Sequence, residues 1–260
     1  MLLEIKKLSG GYGEKDICKN LTCSLDAGEV LCVLGPNGCG KTTFFRLLLG
    51  SLIHTSGDVY IDGVPASTLS RKEMSQLIAY IPQSHTPTFS YTVLEVVLMG
   101  RASYFSAFSA PKQQDVQRAF EALEKLNIEH LANRNYTALS GGQRQMVLIA
   151  RAVCQDAKVL VMDEPGASLD YSNQLLLMDT IVELSKLGYG IILSTHSPEF
   201  PFSVGHKAML MKDGRILSFG ETEQAITSQV LREVFGVEMD IISVKDRYGR
   251  DRTLCLPLHA

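Results

Sequence analysis

The residues most able to do chemistry lie in one nine-residue stretch, Gly35-Pro36-Asn37-Gly38-Cys39-Gly40-Lys41-Thr42-Thr43. It fits G-x-x-x-x-G-K-[ST], a loop whose glycines let successive backbone N–H groups wrap an anion. Lys41 would reach the β- and γ-phosphates of a nucleotide, and the Thr42 hydroxyl would ligate Mg²⁺. A second chemical group is Asp163-Glu164, two carboxylates that end the apolar run Val159-Leu160-Val161-Met162. Asp163 would hold the metal, and Glu164 would orient the attacking water or act as its base. A third is His196, which closes Gly190-Ile191-Ile192-Leu193-Ser194-Thr195 and is placed to meet a γ-phosphate.

These groups need a scaffold that delivers strand ends to one edge. Glu29 to Leu34 reads as a buried strand entering the loop, and Thr43 to Leu49 as an apolar helix leaving it and stopping at Gly50. Carboxylates at the C-terminal ends of parallel strands are where doubly wound sheets put their chemistry. Before the loop, Leu3 to Leu8 and Asn20 to Leu25 alternate like sheet, with Gly10-Gly11-Tyr12-Gly13 expected as a turn that offers an aromatic ring for base stacking. Gly57 to Gly63 and Ile78 to Ile81 read as further strands, the second ending at Pro82-Gln83.

From there the pattern is helical. Thr92 caps a helix through Met99, and residues 101–111 read as a loop. Val116, Ala119, Phe120, Leu123 and Leu126 form one apolar face. Leu139-Ser140-Gly141-Gly142-Gln143 opens another helix, a second terminus with exposed N–H groups. After the acidic strand come Ser168-Leu169-Asp170 and a helix from about Asn173 to Lys186. A hairpin over 207–219, a helical segment over 221–235 and a last strand pair within 236–260 complete the chain. The expected division is a nucleotide-binding core with a β subdomain (1–83 and 156–260), a helical insertion (84–155) and a short C-terminal β extension (236–260).

Composition narrows the class. The 260 residues, 45% hydrophobic and 20% charged, suffice for a full core. A net charge of −3 gives no bulk reason for nucleic-acid binding. Lys245, Arg247, Arg250 and Arg252 alternate with Asp246 and Asp251, which suits a solvated hairpin tip. The six cysteines form no C-x-x-C pair, and a reducing cytosol is the expected compartment. The N-terminus lacks the pattern of a signal peptide, and no segment reaches about eighteen uninterrupted apolar residues. Any membrane role is therefore expected to come through a partner.

Taken in order, the phosphate loop, Gln83, Leu-Ser-Gly-Gly-Gln, Asp163-Glu164, Asp170 and His196 resemble the ATP-binding-cassette ATPases over almost the whole chain. The resemblance implies an α/β phosphate-loop NTPase, RecA-like in its core, with an antiparallel β subdomain and an inserted α-helical subdomain. It implies a head-to-tail homodimer holding two ATP molecules with Mg²⁺. Each nucleotide would lie between Gly35–Thr43 of one copy and Ser140, Gly141, Gly142 and Gln143 of the other. Tyr12 would stack on adenine, Gln83 would contact Mg²⁺ and the attacking water, His196 would hold the γ-phosphate, and Asp170 would couple the two sites.

Ser90 to Arg101 looks like the ATPases of importers for iron-siderophore, haem, cobalamin and oxyanion complexes. Their permease would dock near Gln83 and the 84–105 segment, with a substrate-binding protein further out, and would hold the chain on the inner face of the cell membrane. The alternatives are a soluble cassette ATPase acting on nucleic acid or ribosomes, and the ATPase of a split exporter. One departure is Gly166 after Glu164-Pro165, where the family usually has Thr. Loss of that hydroxyl and added flexibility are expected to change how the dimer-coupling segment is held, while Asp163, Glu164 and Asp170 stay intact for an active ATPase. Cys39, near Lys41 and a helix N-terminus, is expected to favour thiolate. Its alkylation is therefore expected to block ATP hydrolysis, with ATP protecting.

Overall fold

The computed structural model describes residues 1–83, 90–105 and 110–258. In chain order the strands and helices begin with β1 (Leu3–Tyr12), β2 (Lys15–Leu25), β3 (Val30–Leu34), α1 (Lys41–Leu48), β4 (His54–Ile61) and β5 (Val64–Pro65). Next come α2 (Arg71–Leu77), β6 (Ile78–Ile81), α3 (Val93–Leu98), α4 (Gln113–Lys125), α5 (Gly141–Cys154) and β7 (Val159–Met162). The chain continues with α6 (Tyr171–Lys186), β8 (Gly190–Thr195), α7 (Phe200–Val204), β9 (Lys207–Lys212) and β10 (Arg215–Glu221). It closes with α8 (Thr222–Ala225), α9 (Ser228–Phe235), β11 (Met239–Lys245) and β12 (Asp251–Pro257).

The central sheet runs β10-β9-β3-β8-β7-β6. Every pair in it is parallel except β9–β10. The inner strands β3 and β7 are apolar at every position because both faces are covered, and β8 stays apolar until Ser194 and Thr195 at its end. Val30, Cys32 and Leu34 of β3, Leu160 and Met162 of β7, and Ile191 and Leu193 of β8 pack on the helical side. The alternate residues Leu31, Val33, Val159, Val161 and Ile192 pack against α1 and the second sheet. That second sheet, β2-β1-β4-β5, is antiparallel. It holds Phe44 and Phe45 of α1 between itself and the central sheet, both wholly buried.

Several local expectations shift. β1 continues through Gly10, Gly11 and Tyr12, so Tyr12 closes a strand and only Gly13-Glu14 turns. Helix α2 escapes the apolar-run reading, although Ser70 and Glu73 form a reciprocal capping box at its start. Residues 99–104 are a 3₁₀ segment that continues α3, steadied by the Arg101 guanidinium 3.6 Å from the Tyr104 ring centre. Residues 106–109 of the expected loop lie outside the described residues.

On α4, Ala119, Leu123 and Leu126 of the expected face are buried, but Val116 and Phe120 are exposed, and Asp115 and Ala122 join the buried face. Asp115 is partnered on that face: it takes the Lys112 N–H at 3.0 Å and pairs with Arg101 at 3.4 Å. The C-terminal strand pair forms as expected, with Cys255, Ile241 and Met239 against the core. Its tip is solvated, and Asp246 pairs with Arg250 and Arg252.

The β9–β10 turn locks the two sheets to the phosphate loop. Asp213 and Gly214 both have positive φ, 48° and 77°. The Gly214 N–H donates to the Cys39 carbonyl at 2.9 Å, and its carbonyl accepts from Lys19 N–H at 2.8 Å. A Cβ at Gly214 would overlap the Ile17 carbonyl. Gly214→Ala should therefore lower unfolding stability by about 1 kcal/mol or more, read by denaturant titration, because the backbone neither fits alanine nor has room for it.

Candidate nucleotide site

The phosphate loop leaves β3 at Gly35 and becomes α1 at Lys41. Gly35 has no room for a side chain: a Cβ there would lie 2.5 Å from the Met211 carbonyl oxygen and 2.6 Å from Cys39 Sγ. Gly38 and Gly40 take positive φ of 79° and 113°, which bends the chain around the helix end. No side chain caps α1 and its first turn carries no acidic residue, which leaves its N-terminal dipole free to favour an anion. Lys41 folds across the loop, with Nζ donating to the carbonyls of Gly35 at 2.7 Å and Pro36 at 3.3 Å.

The carboxylates stand beside this cradle. Asp163 is buried, and three hydroxyls donate to it: Ser194 at 2.7 Å, Thr42 at 3.2 Å and Tyr80 at 3.3 Å. Burial first, and then the Asp163 charge and hydrogen bond, push the Tyr80 hydroxyl up to about 12, so it remains a donor. Glu164 faces three groups from separate elements. Gln83 Nε2 donates to its carboxylate at 3.4 Å, while His196 Nδ1 lies 3.7 Å and Lys41 Nζ 3.9 Å from it.

Lys41, Thr42, Gln83, Asp163, Glu164 and His196, expected as one site, thus converge. Thr42 and Asp163 are adjacent hard oxygen donors, the kind Mg²⁺ accepts when phosphates and waters complete its shell. Together with the glycine cradle, they fit a magnesium nucleotide. Asn37 is exposed on the loop, Pro36 is partly buried and Thr43 is buried in α1.

Other expected residues lie apart. Tyr12 is half exposed, and its hydroxyl accepts from Arg46 of α1 at 2.8 Å. Ser140 and Gln143 cap α5 reciprocally, so the Gln143 carboxamide is engaged in that cap. Among the described residues no hydrogen bond or ion pair joins Ser140, Gly141, Gly142 or Gln143 to Gly35–Thr43. Gly142 instead abuts the Asn173 carboxamide, and a Cβ there would overlap it. Asp170 caps α6, accepting from Asn173 N–H at 2.8 Å and Nδ2 at 2.9 Å.

The sequence reading missed Ser194, Tyr80, Arg46 and Gln174. A hydroxyl inside the apolar run of β8 was a usable signal, since buried polar groups require partners. Gln174 Nε2 reaches the carbonyls of Gly166 at 3.3 Å and Leu169 at 3.1 Å. This side-chain clasp is how the segment after Pro165 is held in place of the absent Thr hydroxyl. The reading of Cys39 also needs correction. The residue is buried, and desolvation pushes its thiol above the ordinary 9.0, outweighing the opposing pull of Lys41 and backbone N–H groups. Cys39 is a packed thiol.

Residues 18–167 match the family model for ABC transporters. The chain belongs to the ABC transporter family. It is 37% identical to an uncharacterized ABC transporter ATP-binding protein of Haemophilus influenzae, covering 93% of this chain and 92% of that one. It is 36% identical to the molybdate import ATP-binding protein MolC of the same organism, covering 91% and 89%. The fold superposes on a chain of a metal-chelate type ABC transporter in an inward-facing conformation, with TM-score 0.89 and 34% identity over 99% of this chain and 97% of that one. The protein is accordingly an ATP-binding, ATP-hydrolysing ABC chain, with the phosphate-loop α/β core, antiparallel sheet and helical region of that family. Among the described residues no helix is long and apolar enough to cross a membrane.

Two outcomes follow from the geometry. Gly166 has ordinary space for a Cβ, its nearest neighbour being 3.6 Å away, and lacks positive φ. Gly166→Ala should raise stability by about 0.4–1 kcal/mol in thermal or denaturant unfolding, leaving nucleotide binding unchanged. For Cys39, maleimide labelling of the folded chain at pH 7 should be far slower than that of an exposed thiol and should accelerate only above pH 9. Peptide mapping of the labelled protein reads both.

Proposed function

We propose that two copies of this chain power uptake of a metal chelate or an oxyanion through a separate permease. The observation that carries the catalytic half is the convergence of Lys41, Gln83 and His196 on Glu164 beside the Thr42–Asp163 pair. The importer half draws on relatives named for molybdate import, hemin import and ferric enterobactin transport, 36%, 30% and 29% identical to this chain.

In this reading Tyr12 stacks on adenine, and its Arg46 contact holds the ring at the edge of α1. Gly35 to Thr43 wrap the phosphates, with Lys41 leaving its loop carbonyls to pair with the γ-phosphate. Thr42 and Asp163 would hold Mg²⁺ with Gln83 contacting it, and the ion would supply neutralisation of charge on the phosphate oxygens. Glu164 orients the water and takes its proton, while His196 fixes the γ-phosphate from the end of β8.

The second anion-competent terminus, Ser140 to Gln143, serves the nucleotide of the other copy. Its separation from the phosphate loop within one chain supports that role. Asp170, at the start of α6 and linked through Asn173 to Gly142, lies where it can relay between the two. Residues 1–83 with 156–260 then act as the nucleotide-binding body, 84–155 as the helical part facing the permease, and 236–260 as a β extension. Gln83 and the described part of 84–105 form the docking surface; residues 84–89 lie outside the described residues. A binding protein would deliver the solute, and the chain would sit peripherally on the cytoplasmic face.

Glu164→Gln should still bind ATP while turning it over about 10²-fold more slowly or worse, the scale of a lost general base. Steady-state phosphate release alongside fluorescent-nucleotide binding measures the two separately. Near-normal turnover would reject the role given to Glu164.

A further inference from the structure

Strand β7 ends its pairing with β8 at Met162–Leu193. Beyond that point the Asp163 N–H still donates to the Ile81 carbonyl at 2.9 Å, on the β6 side. Glu164 is off the ladder altogether. Its backbone turns to φ 44°, the left-handed region, which a residue with a side chain avoids unless its surroundings hold it there. What holds it comes from a side chain. The Glu164 N–H donates to Ser194 Oγ at 2.8 Å, and the same hydroxyl spends its single hydrogen on Asp163 Oδ1 at 2.7 Å. Ser194 is wholly buried, and it lies two residues before His196 on β8.

We propose that Ser194 is a positioning residue for ATP hydrolysis: one buried oxygen replaces the missing ladder partner of Glu164 and sets the angle between the two carboxylates. The inference rests on the role given to Glu164 above. The geometry explains why a hydroxyl is needed here. An aliphatic side chain at 194 would leave the part-buried Glu164 N–H without its acceptor, and the left-handed turn would lose its tie to β8. Asp163 would keep its Thr42 and Tyr80 donors, so the metal-facing carboxylate would persist while Glu164 drifts. A drift of about 1 Å in a water-orienting group is enough to slow chemistry by about 10²-fold without weakening substrate binding.

The test uses the purified chain and Ser194→Ala. Amide exchange followed by NMR without nucleotide should be at least tenfold faster at Glu164, with protection at Leu160 of the same strand unchanged. In steady-state hydrolysis, kcat should fall about 10- to 100-fold with KM for ATP within threefold, the usual range for groups that orient a reacting ligand. Unchanged exchange at Glu164, a kcat within threefold of the parent chain, or a loss carried by KM would each overturn the assignment. Should Ser194→Ala not fold, Ser194→Cys, close in size but a weak acceptor, carries the same readouts. Glu164→Gln run in parallel separates the two claims. If it turns over slowly while Ser194→Ala stays fast, the Ser194 assignment alone fails. If Glu164→Gln itself hydrolyses ATP near normally, the underlying reading of Glu164 fails.

Discussion

A single buried carboxylate holds the site together. Asp163 takes hydroxyl hydrogens from Thr42 on α1, Tyr80 on β6 and Ser194 on β8. An unpartnered charge at that depth would be costly, so three elements must stay in register for the carboxylate to be tolerated. The phosphate loop therefore cannot shift against the sheet edge without breaking a charge-assisted hydrogen bond. Everything downstream inherits that alignment: Glu164 follows in sequence, Gln83 lies three residues beyond Tyr80, and His196 two beyond Ser194.

The sheet supplies the edge by burying both of its faces. β3, β7 and β8 alternate their side chains between two apolar clusters, one under the helices and one around α1. With no face left for water, polar chemistry is confined to the strand ends, and parallel pairing places those ends together. The antiparallel sheet has a different task. It closes over Phe44 and Phe45, and through Lys19 and the Gly214 turn it fastens the phosphate loop from behind. Glycines appear where backbone approaches backbone or a side chain, at Gly35, Gly142 and Gly214. Their requirement is steric at all three, and the positive φ of Gly214 adds to it.

Two local tendencies were overruled by burial. Cys39 has a lysine and a helix terminus to favour its anion, yet the packing that makes Gly35 obligatory also removes the water an anion would need. On α4, the most apolar stripe would have turned Val116 and Phe120 inward. The helix meets the core through Asp115, paired with Arg101, and through Ala119, Ala122 and Leu123, leaving those two outside.

The sequence alone determined the fold class and most of the chemistry. The phosphate-loop spacing, the carboxylates ending an apolar strand and the histidine ending another are short-range patterns, each requiring only a strand or a helix to have meaning. Element boundaries were legible where caps were local, as at Thr92 and Ser140, and less so at β1, where pairing with β2 and β4 extends the strand through two glycines. What tertiary structure decided was contact at long sequence separation. Thr42 with Asp163, Tyr80 with Asp163 and Ser194 with Glu164 depend on where strand ends and helix starts meet. Periodicity reports which face of an element is buried. It does not report which distant hydroxyl will be pressed against a carboxylate, because that follows from strand order and register, which only the packed sheet defines.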